Sequence, residues 1–512
     1  MKPSITILLL ACTFACSDKE PTTEGMEPGD CTDGADNDGD GLFDCDDDGC
    51  TGSPDCQTTD TGDTQDTDTE DTDTEDTDTE DTDTEDTDTE DTDTGDTGTT
   101  DGWGERIIAY YPEWGVYERD YRVWDIPADK ITHINYGFIS PNKELCTDGI
   151  DNDLNDGYQN PLTDCQDPDC ANHVACGGTL QDSDIPYVCT IFDAWAAVDM
   201  PSSDSNWPNG NFAQLQQLKS QHPHLKTMIS IGGWTLSGQF SDMAKTAASR
   251  ETFVRSCVQL MQDYGFDGID VDWEYPVGGG LYNGLPEDKE NYTLLLAEFR
   301  SQLDAINPDY LLTIAAPAGE STIDNMDLDG MTQYLDWINL MSYDLNGSWS
   351  SETNFNAPLY DSANTPTPGV NIDNSVQIYL NSGVPTDKLV LGFPFYGRGF
   401  GGVSAGGDGL FQSFTSNPMG TWEAGVFDYH DLVSNYINQG DYIRYFDNDA
   451  KVPWLYSPSQ GIMISYDDAE SFQHKLDYLK QYNLGGAMFW ELAGDTTNSE
   501  LLDILYQGLL AQ

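Results

Sequence analysis

Eight short apolar runs, separated in most places by helical patterns, constrain this sequence more than any other feature. They read RIIAYY from Arg106, THINYGFI from Thr132, LKTMISIGG from Leu225, DGIDVDWE from Asp267, LLTIAAP from Leu311, WINLMSYD from Trp337, KLVLGFPF from Lys388 and LGGAMFWEL from Leu484. Helical spacing of apolar residues fills the gaps, as over Glu251 to Tyr264, Asp288 to Ile306 and Asp468 to Tyr482. Strand and helix alternating eight times predict an α/β chain folded as a closed parallel (β/α)8 TIM barrel over residues 102–512. In such a barrel the chemistry gathers at the C-terminal face, where the strands end. Two connections exceed what a bare barrel needs. After the second strand comes a Cys-rich stretch, residues 146–176, and after the seventh comes a stretch of about 397–465 that is long enough for an α+β subdomain carrying Trp422, Tyr429, Tyr445 and Trp454. Both inserts are expected to rise beside the mouth and deepen it into a groove.

The fourth run, YGFDGIDVDWEYP from Tyr264, places four acids among Gly, Ile, Val and Trp. Side chains alternate faces along a strand, so Asp270, Asp272 and Glu274 share one side and Ile269, Val271 and Trp273 the other. Next-but-one neighbours lie about 6.5 to 7 Å apart, and three carboxyls that close cannot all ionise readily. One of them is expected to stay protonated near neutral pH, which is what a general acid requires. A solvated edge strand or a calcium loop is the alternative, and the apolar opposite face argues against both. Asp267 falls off the shared face and reads as a support for the strand's entry.

The net charge of −72 is unevenly placed, with 35 of the 92 acids before residue 102, yet the remainder is acidic too. Such a surface repels phosphate backbones, so no nucleic acid is expected as a partner. Residues 1–16 hold one Lys and an apolar run too short to span a membrane. They resemble a bacterial lipoprotein export signal, with Cys16, or else Cys12, as the lipidated residue and membrane anchor; plain secretory cleavage is the alternative. Either way the chain is expected to be extracellular or at the cell surface. Eight of the 12 Cys form two sets, Cys31, Cys45, Cys50, Cys56 and Cys146, Cys165, Cys170, Cys176, and CTDGADND at Cys31 returns as CTDGIDND at Cys146. Residues 17–56 and 146–176 therefore read as two copies of a small acidic module with two disulfides each, their connectivity open. Cys189 and Cys257 remain, free to pair with each other. Asp36, Asp38 and Asp40, followed by Gly41, match the opening of a calcium loop, so a structural Ca²⁺ is the expectation for the first module, with a merely acidic disulfide knot as the alternative. Residues 57–101 repeat DTDTE with almost nothing apolar and read as an extended, disordered linker.

The barrel resembles glycoside hydrolase family 18, the chitinases, over Trp103 to Gln512. DGIDVDWEYP fits that family's DxxDxDxE signature, and SIGGW at Ser230, MSYD at Met341 and GGAMFWEL at Gly485 match its strand-three, strand-six and strand-eight motifs. The insertion after strand seven resembles that of the deep-groove subgroup; the Cys-rich module after strand two departs from the pattern. The resemblance implies hydrolysis of β-1,4-linked N-acetylglucosamine polymers, chitin or chitooligosaccharides, with retention and by substrate assistance. Glu274 would be the acid/base, Asp272 the partner of the substrate acetamido group, Asp270 a sharer of the proton, and Tyr343 a donor to the acetamido oxygen. Tyr110 and Ser230 would support Asp270, while Met341 and Asp344 would shape the sugar pocket. Trp490 would lie under the cleaved sugar, with Trp234 and Trp349 on the leaving-group side and Tyr429 as a further aromatic contact. No catalytic cofactor is implied, and a monomer is expected. An endo-β-N-acetylglucosaminidase or peptidoglycan hydrolase using the same chemistry is the second reading, and a chitin-binding lectin, which typically lacks the acid, is the third.

Overall fold

In the computed structural model, which describes residues 106–143 and 186–511, the eight β-branched and aromatic runs become eight parallel strands. These are β1 (Arg106–Pro112), β2 (His133–Asn142), β3 (Lys226–Gly232), β4 (Gly268–Asp272), β5 (Leu311–Ala316), β6 (Trp337–Leu340), β7 (Leu389–Pro394) and β8 (Gly486–Trp490). Each pairs with the next in chain order, and β8 pairs with β1, so the sheet closes on itself as a (β/α)8 barrel. Register puts Ser230 of β3 beside Asp270 of β4, and Asp270 beside Thr313 of β5, so three polar side chains meet inside the barrel.

The outward residues of the same strands meet the helices. Trp273 stacks on Phe240 at 5.2 Å between ring centres and packs against Tyr292 of the helix Asp288–Ile306. At the entry to β4, Asp267 accepts a hydrogen bond from the Thr227 amide at 2.8 Å and pairs with Lys219 at 2.6 Å, the supporting position its odd offset suggests.

Element ends differ from the sequence reading for local reasons. The helix expected from Glu251 starts at Ala247, because Thr246 caps it by accepting from the Ser249 amide. Strand β4 stops at Asp272 and β6 at Leu340, so Glu274 and Tyr343 sit on turns just beyond strand ends rather than within strands. Strand β2 runs to Asn142 and pairs antiparallel with Val188–Ile191, a strand the sequence reading does not foresee. That returning strand is tied to the helix Ala247–Asp263 by a Cys189–Cys257 disulfide and by a 2.9 Å hydrogen bond between the Cys189 amide and Ser256 Oγ.

Between β7 and β8 lies a five-stranded antiparallel sheet, in the order Val426–Asp428, Tyr396–Gly401, Ile462–Ser465, Val452–Ser457, Ile443–Asp447, with one helix at Tyr429–Asn435. It buries a small core of its own, including Phe400, Trp454, Tyr456 and Met463. The expectations for residues 1–101 and for the second Cys-rich module lie outside the described residues. These include the export signal with Cys12 and Cys16, the disulfides of both modules, and Asp36, Asp38 and Asp40 as calcium ligands. Among the described residues no helix is long and apolar enough to cross a membrane, and no cluster of His, Cys, Asp or Glu is arranged to hold a metal.

Candidate active site

Asp270 sits at the centre of the barrel, fully buried, and four side chains from four different strands converge on it. Tyr110 of β1 and Ser230 of β3 donate to Oδ2 at 2.8 and 2.7 Å; Thr313 of β5 and Asn339 of β6 donate to Oδ1 at 2.6 and 3.2 Å. Burial pushes the Asp270 carboxyl up, and these four hydrogen bonds pull it back down. Three of the four partners are hydroxyls, which can donate or accept by rotating. Asp270 can therefore hold or release a proton with no heavy atom moving.

Asp272, one pleat further, has a different environment. It is nearly buried, yet its Oδ1 has no hydrogen-bond partner. Its carboxyl is pushed well up by burial first, and then by the charges of Glu274 and Asp270. A buried polar atom left without a partner is costly, so such an atom beside an acid marks a place where a partner is expected to arrive.

Glu274 follows on a turn whose geometry is fixed by backbone contacts. Ser237 Oγ accepts from the Glu274 amide at 2.8 Å and donates to the Gly233 carbonyl at 2.8 Å. Gly232, at φ +108°, lies so close to the Asp272 carbonyl that a Cβ there would come within 2.3 Å of its oxygen, so only glycine fits. Burial raises the Glu274 carboxyl to about 7; the charge of Asp344 adds to the rise, and a hydrogen bond from Tyr275 offsets part of it. A carboxylic acid that keeps its proton to about neutral pH, next to two further carboxyls, is equipped to protonate a leaving oxygen.

Around these acids lie the other expected residues. Tyr343 is buried, and its hydroxyl points at the thioether sulfur of Met488 at 3.6 Å, a weak acceptor that leaves it able to donate elsewhere. Met341 is half-buried near the core. Asp344, at φ +55°, is gripped by Arg398, whose Nε and Nη2 lie 2.8 and 2.5 Å from its two oxygens, and by Tyr396 Oη at 2.7 Å. Trp490 ends β8 with one side among Tyr110, Trp114 and Phe138, the last stacked at 5.9 Å. Trp234 and Trp349 are 48% and 59% exposed, an arrangement that offers flat apolar rings to a ligand.

One placement corrects the sequence reading. Tyr429 is only 6% exposed, packed at the start of the helix Tyr429–Asn435, so it presents no face to a groove. Trp454 is likewise buried, stacked on Tyr445 within the core of the insertion. Tyr110 and Ser230 are buried too, and both donate to Asp270, which is where the sequence reading put them. The reading also omits Thr313, Asn339, Ser237, Arg398 and Tyr396. Thr313 and Asn339 had a signal, since each is a lone polar residue at an inward position of an otherwise apolar strand.

Comparison with known proteins bears on the family and the fold. The family model described as Glycosyl hydrolases family 18 matches residues 106–495. Chitinase A1 of Niallia circulans is 45% identical over 407 residues, covering 76% of this chain and 56% of that protein, so the chain spans little more than half the length of that relative. Among solved structures, chitinase ChiA74 from Bacillus thuringiensis is similar with a TM-score of 0.69 and 40% identity, covering 80% of this chain and 70% of that one. A family 18 N-acetylglucosaminidase from Paenibacillus barengoltzii is similar with a TM-score of 0.61 and 30% identity, covering 79% of this chain and 100% of that one.

Proposed function

The chain belongs to glycosyl hydrolase family 18, and from that membership and the carboxyl geometry we propose that it is a chitinase, cleaving β-1,4 bonds of N-acetylglucosamine polymers with retention. Glu274 donates its proton to the glycosidic oxygen as the bond to the anomeric carbon breaks. The carbonyl oxygen of the substrate's own acetamido group attacks that carbon from the opposite face and forms a cyclic oxazolinium ion. Asp272 accepts a hydrogen bond from the acetamido N–H and stabilises the positive charge, while Tyr343 donates to the acetamido oxygen. Water then enters, Glu274 takes a proton from it, and the ring opens to give a product of unchanged anomeric configuration. Asp270 exchanges proton affinity with Asp272 through the cycle.

One observation carries this reading. Asp270 is saturated by four donors while the buried Oδ1 of Asp272 has none, so Asp272 is the carboxylate prepared for an incoming N–H. Trp490 would floor the reacting sugar, and Trp234 and Trp349 would carry sugars on the leaving-group side. The lipoprotein-like signal and the acidic linker would place the enzyme outside the cytoplasm at the end of a tether, a reading that rests on the sequence alone.

The test is reducing-sugar release from colloidal chitin by the wild type and by Glu274→Gln. The wild type is expected to release sugar, and the variant to bind chitooligosaccharide while losing nearly all turnover. Substantial residual hydrolysis by the variant would sink the mechanism. Likeness to an N-acetylglucosaminidase keeps a second reading, action on other N-acetylglucosaminides such as glycoprotein glycans or peptidoglycan. Release of glycan from a glycoprotein without activity on chitin would favour it.

A further inference from the structure

Arg398 lies outside all four sequence motifs, on the first strand of the insertion, Tyr396–Gly401. Its guanidinium makes three contacts at once. It takes both oxygens of Asp344 in a forked pair at 2.8 and 2.5 Å, it lies 5.2 Å from the ring centre of Trp349, and it lies 5.4 Å from the ring of Tyr396, whose hydroxyl donates to the same Asp344 carboxylate. A planar guanidinium can satisfy a carboxylate with its edge while stacking an aromatic ring on its face; lysine cannot do both.

Trp349 needs such a support. It is 59% exposed on the turn after β6, and a ring so exposed has little packing to fix its rotamer. Arg398 covers one side, and Gly347 lies against the ring so closely that a Cβ there would come within 2.5 Å of Trp349 Cη2. Asp344 is fixed in turn by Asn356, whose Oδ1 accepts from the Asp344 amide at 3.0 Å.

We propose that Arg398 is a positioning residue: by clamping Asp344 and backing Trp349 together, it holds the leaving-group platform in register with the proton donor Glu274. The proposal rests on the chitinase reading above, in which Glu274 donates and Trp349 carries the leaving sugar. Its electrical consequence follows from the groups that face Glu274. These are Asp270 and Asp272 from β4, Tyr275 beside it, Tyr343 and Asp344 from the turn after β6, and beyond Asp344 the insertion's Tyr396, Arg398 and Glu423. Arg398 is the cation paired with Asp344. Without it, Asp344 presents its full charge to Glu274, which then keeps its proton to higher pH.

The test compares wild type, Arg398→Gln, Arg398→Lys and the double variant Arg398→Gln/Asp344→Asn. Hydrolysis of chitohexaose and of an aryl chitobioside, whose leaving group is not a sugar, is followed from pH 4 to 9. In Arg398→Gln the alkaline limb of kcat/KM is expected to move up by roughly half to one pH unit, and KM for chitohexaose to rise about tenfold, equivalent to about 1.4 kcal/mol, with little change in KM for the aryl substrate. Arg398→Lys should restore the limb but not the chitohexaose KM, because it returns the charge without the planar stack. The double variant should lose the upward shift. An unmoved limb in Arg398→Gln, a shift that survives in the double variant, or equal KM losses on both substrates would overturn the proposal. A crystal structure of Arg398→Gln with Trp349 unmoved would do the same, and it reads out the support even if the wild type proves inactive on chitin, so the two readings fail separately.

Discussion

Replacing Glu274, the proposed proton donor, should make the protein more stable, and by an amount that depends on pH. Burial raises Glu274 to about 7, above the ordinary value of 4.5. The folded state therefore holds this proton at pH values where the unfolded chain has released it. The sign follows: Glu274 costs no stability below about pH 4.5, the cost grows as pH rises between the two values, and it is complete above about 7. The gap corresponds to about 3 kcal/mol when fully developed. Glu274→Gln keeps the shape and removes the charge, so it should recover nearly that amount at pH 8 and only about a quarter of it at pH 5. For a barrel of roughly 400 residues, whose unfolding entropy is about 2.1 cal/mol/K per residue, this is a rise in Tm of roughly 3 to 4 °C at pH 8. Relief of Asp272, which the Glu274 charge also pushes up, acts in the same direction. Scanning calorimetry of both proteins at pH 5 and pH 8 measures the difference. A Tm difference that does not change with pH, or a variant less stable than wild type at pH 8, would refute the claim that Glu274 is a strained, desolvated acid.

The same titration governs rate: initial velocities on chitohexaose should fall as pH rises through about 7, where Glu274 loses its proton, and a profile flat to pH 9 would contradict this. Thr313→Val removes a 2.6 Å hydrogen bond to the buried Asp270 carboxylate. This bond holds the Asp270 carboxyl down against burial, so its loss should raise the proton affinity of Asp270. The acid limb of kcat/KM should move up with it, whereas a merely structural change would lower activity at all pH values alike. Cys189→Ser with Cys257→Ser opens a loop of sequence separation 68 and should lower stability by up to about 4 kcal/mol on loop-entropy grounds, measured by urea unfolding. No loss would mean that pairing with β2 suffices to hold the returning strand.

The barrel was legible because its elements are written plainly: short, nearly continuous apolar runs, as strands buried on both faces require, separated by apolar residues at helical spacing. The acids were legible for the same reason, since three carboxyls on one face of a buried strand have no structural excuse. Other features were hidden by the kind of contact that makes them. Thr313 and Asn339 reach Asp270 from β5 and β6, and no local pattern around them points to β4; only barrel register brings them together. Arg398 meets Asp344 and Trp349 across an insertion boundary, 54 positions from the first of these in the chain. Tyr429 misled because an aromatic in an insertion reads the same whether it faces a groove or fills a core, and here it packs into the main core shared with the barrel. The strand Val188–Ile191 was too short, at four residues, to stand out without its partner on β2.

The central claim is that the nucleophile belongs to the substrate, with Asp272 prepared to hold its amide. A time course of chitohexaose hydrolysis with product anomers resolved by NMR tests it most directly when run with and without a thiazoline analogue of the oxazolinium ion. The expected result is an initial excess of the β-anomer at the new reducing end, with hydrolysis suppressed by the thiazoline. An initial excess of the α-anomer would contradict retention, and β-product undiminished by the thiazoline would point instead to a nucleophile on the enzyme.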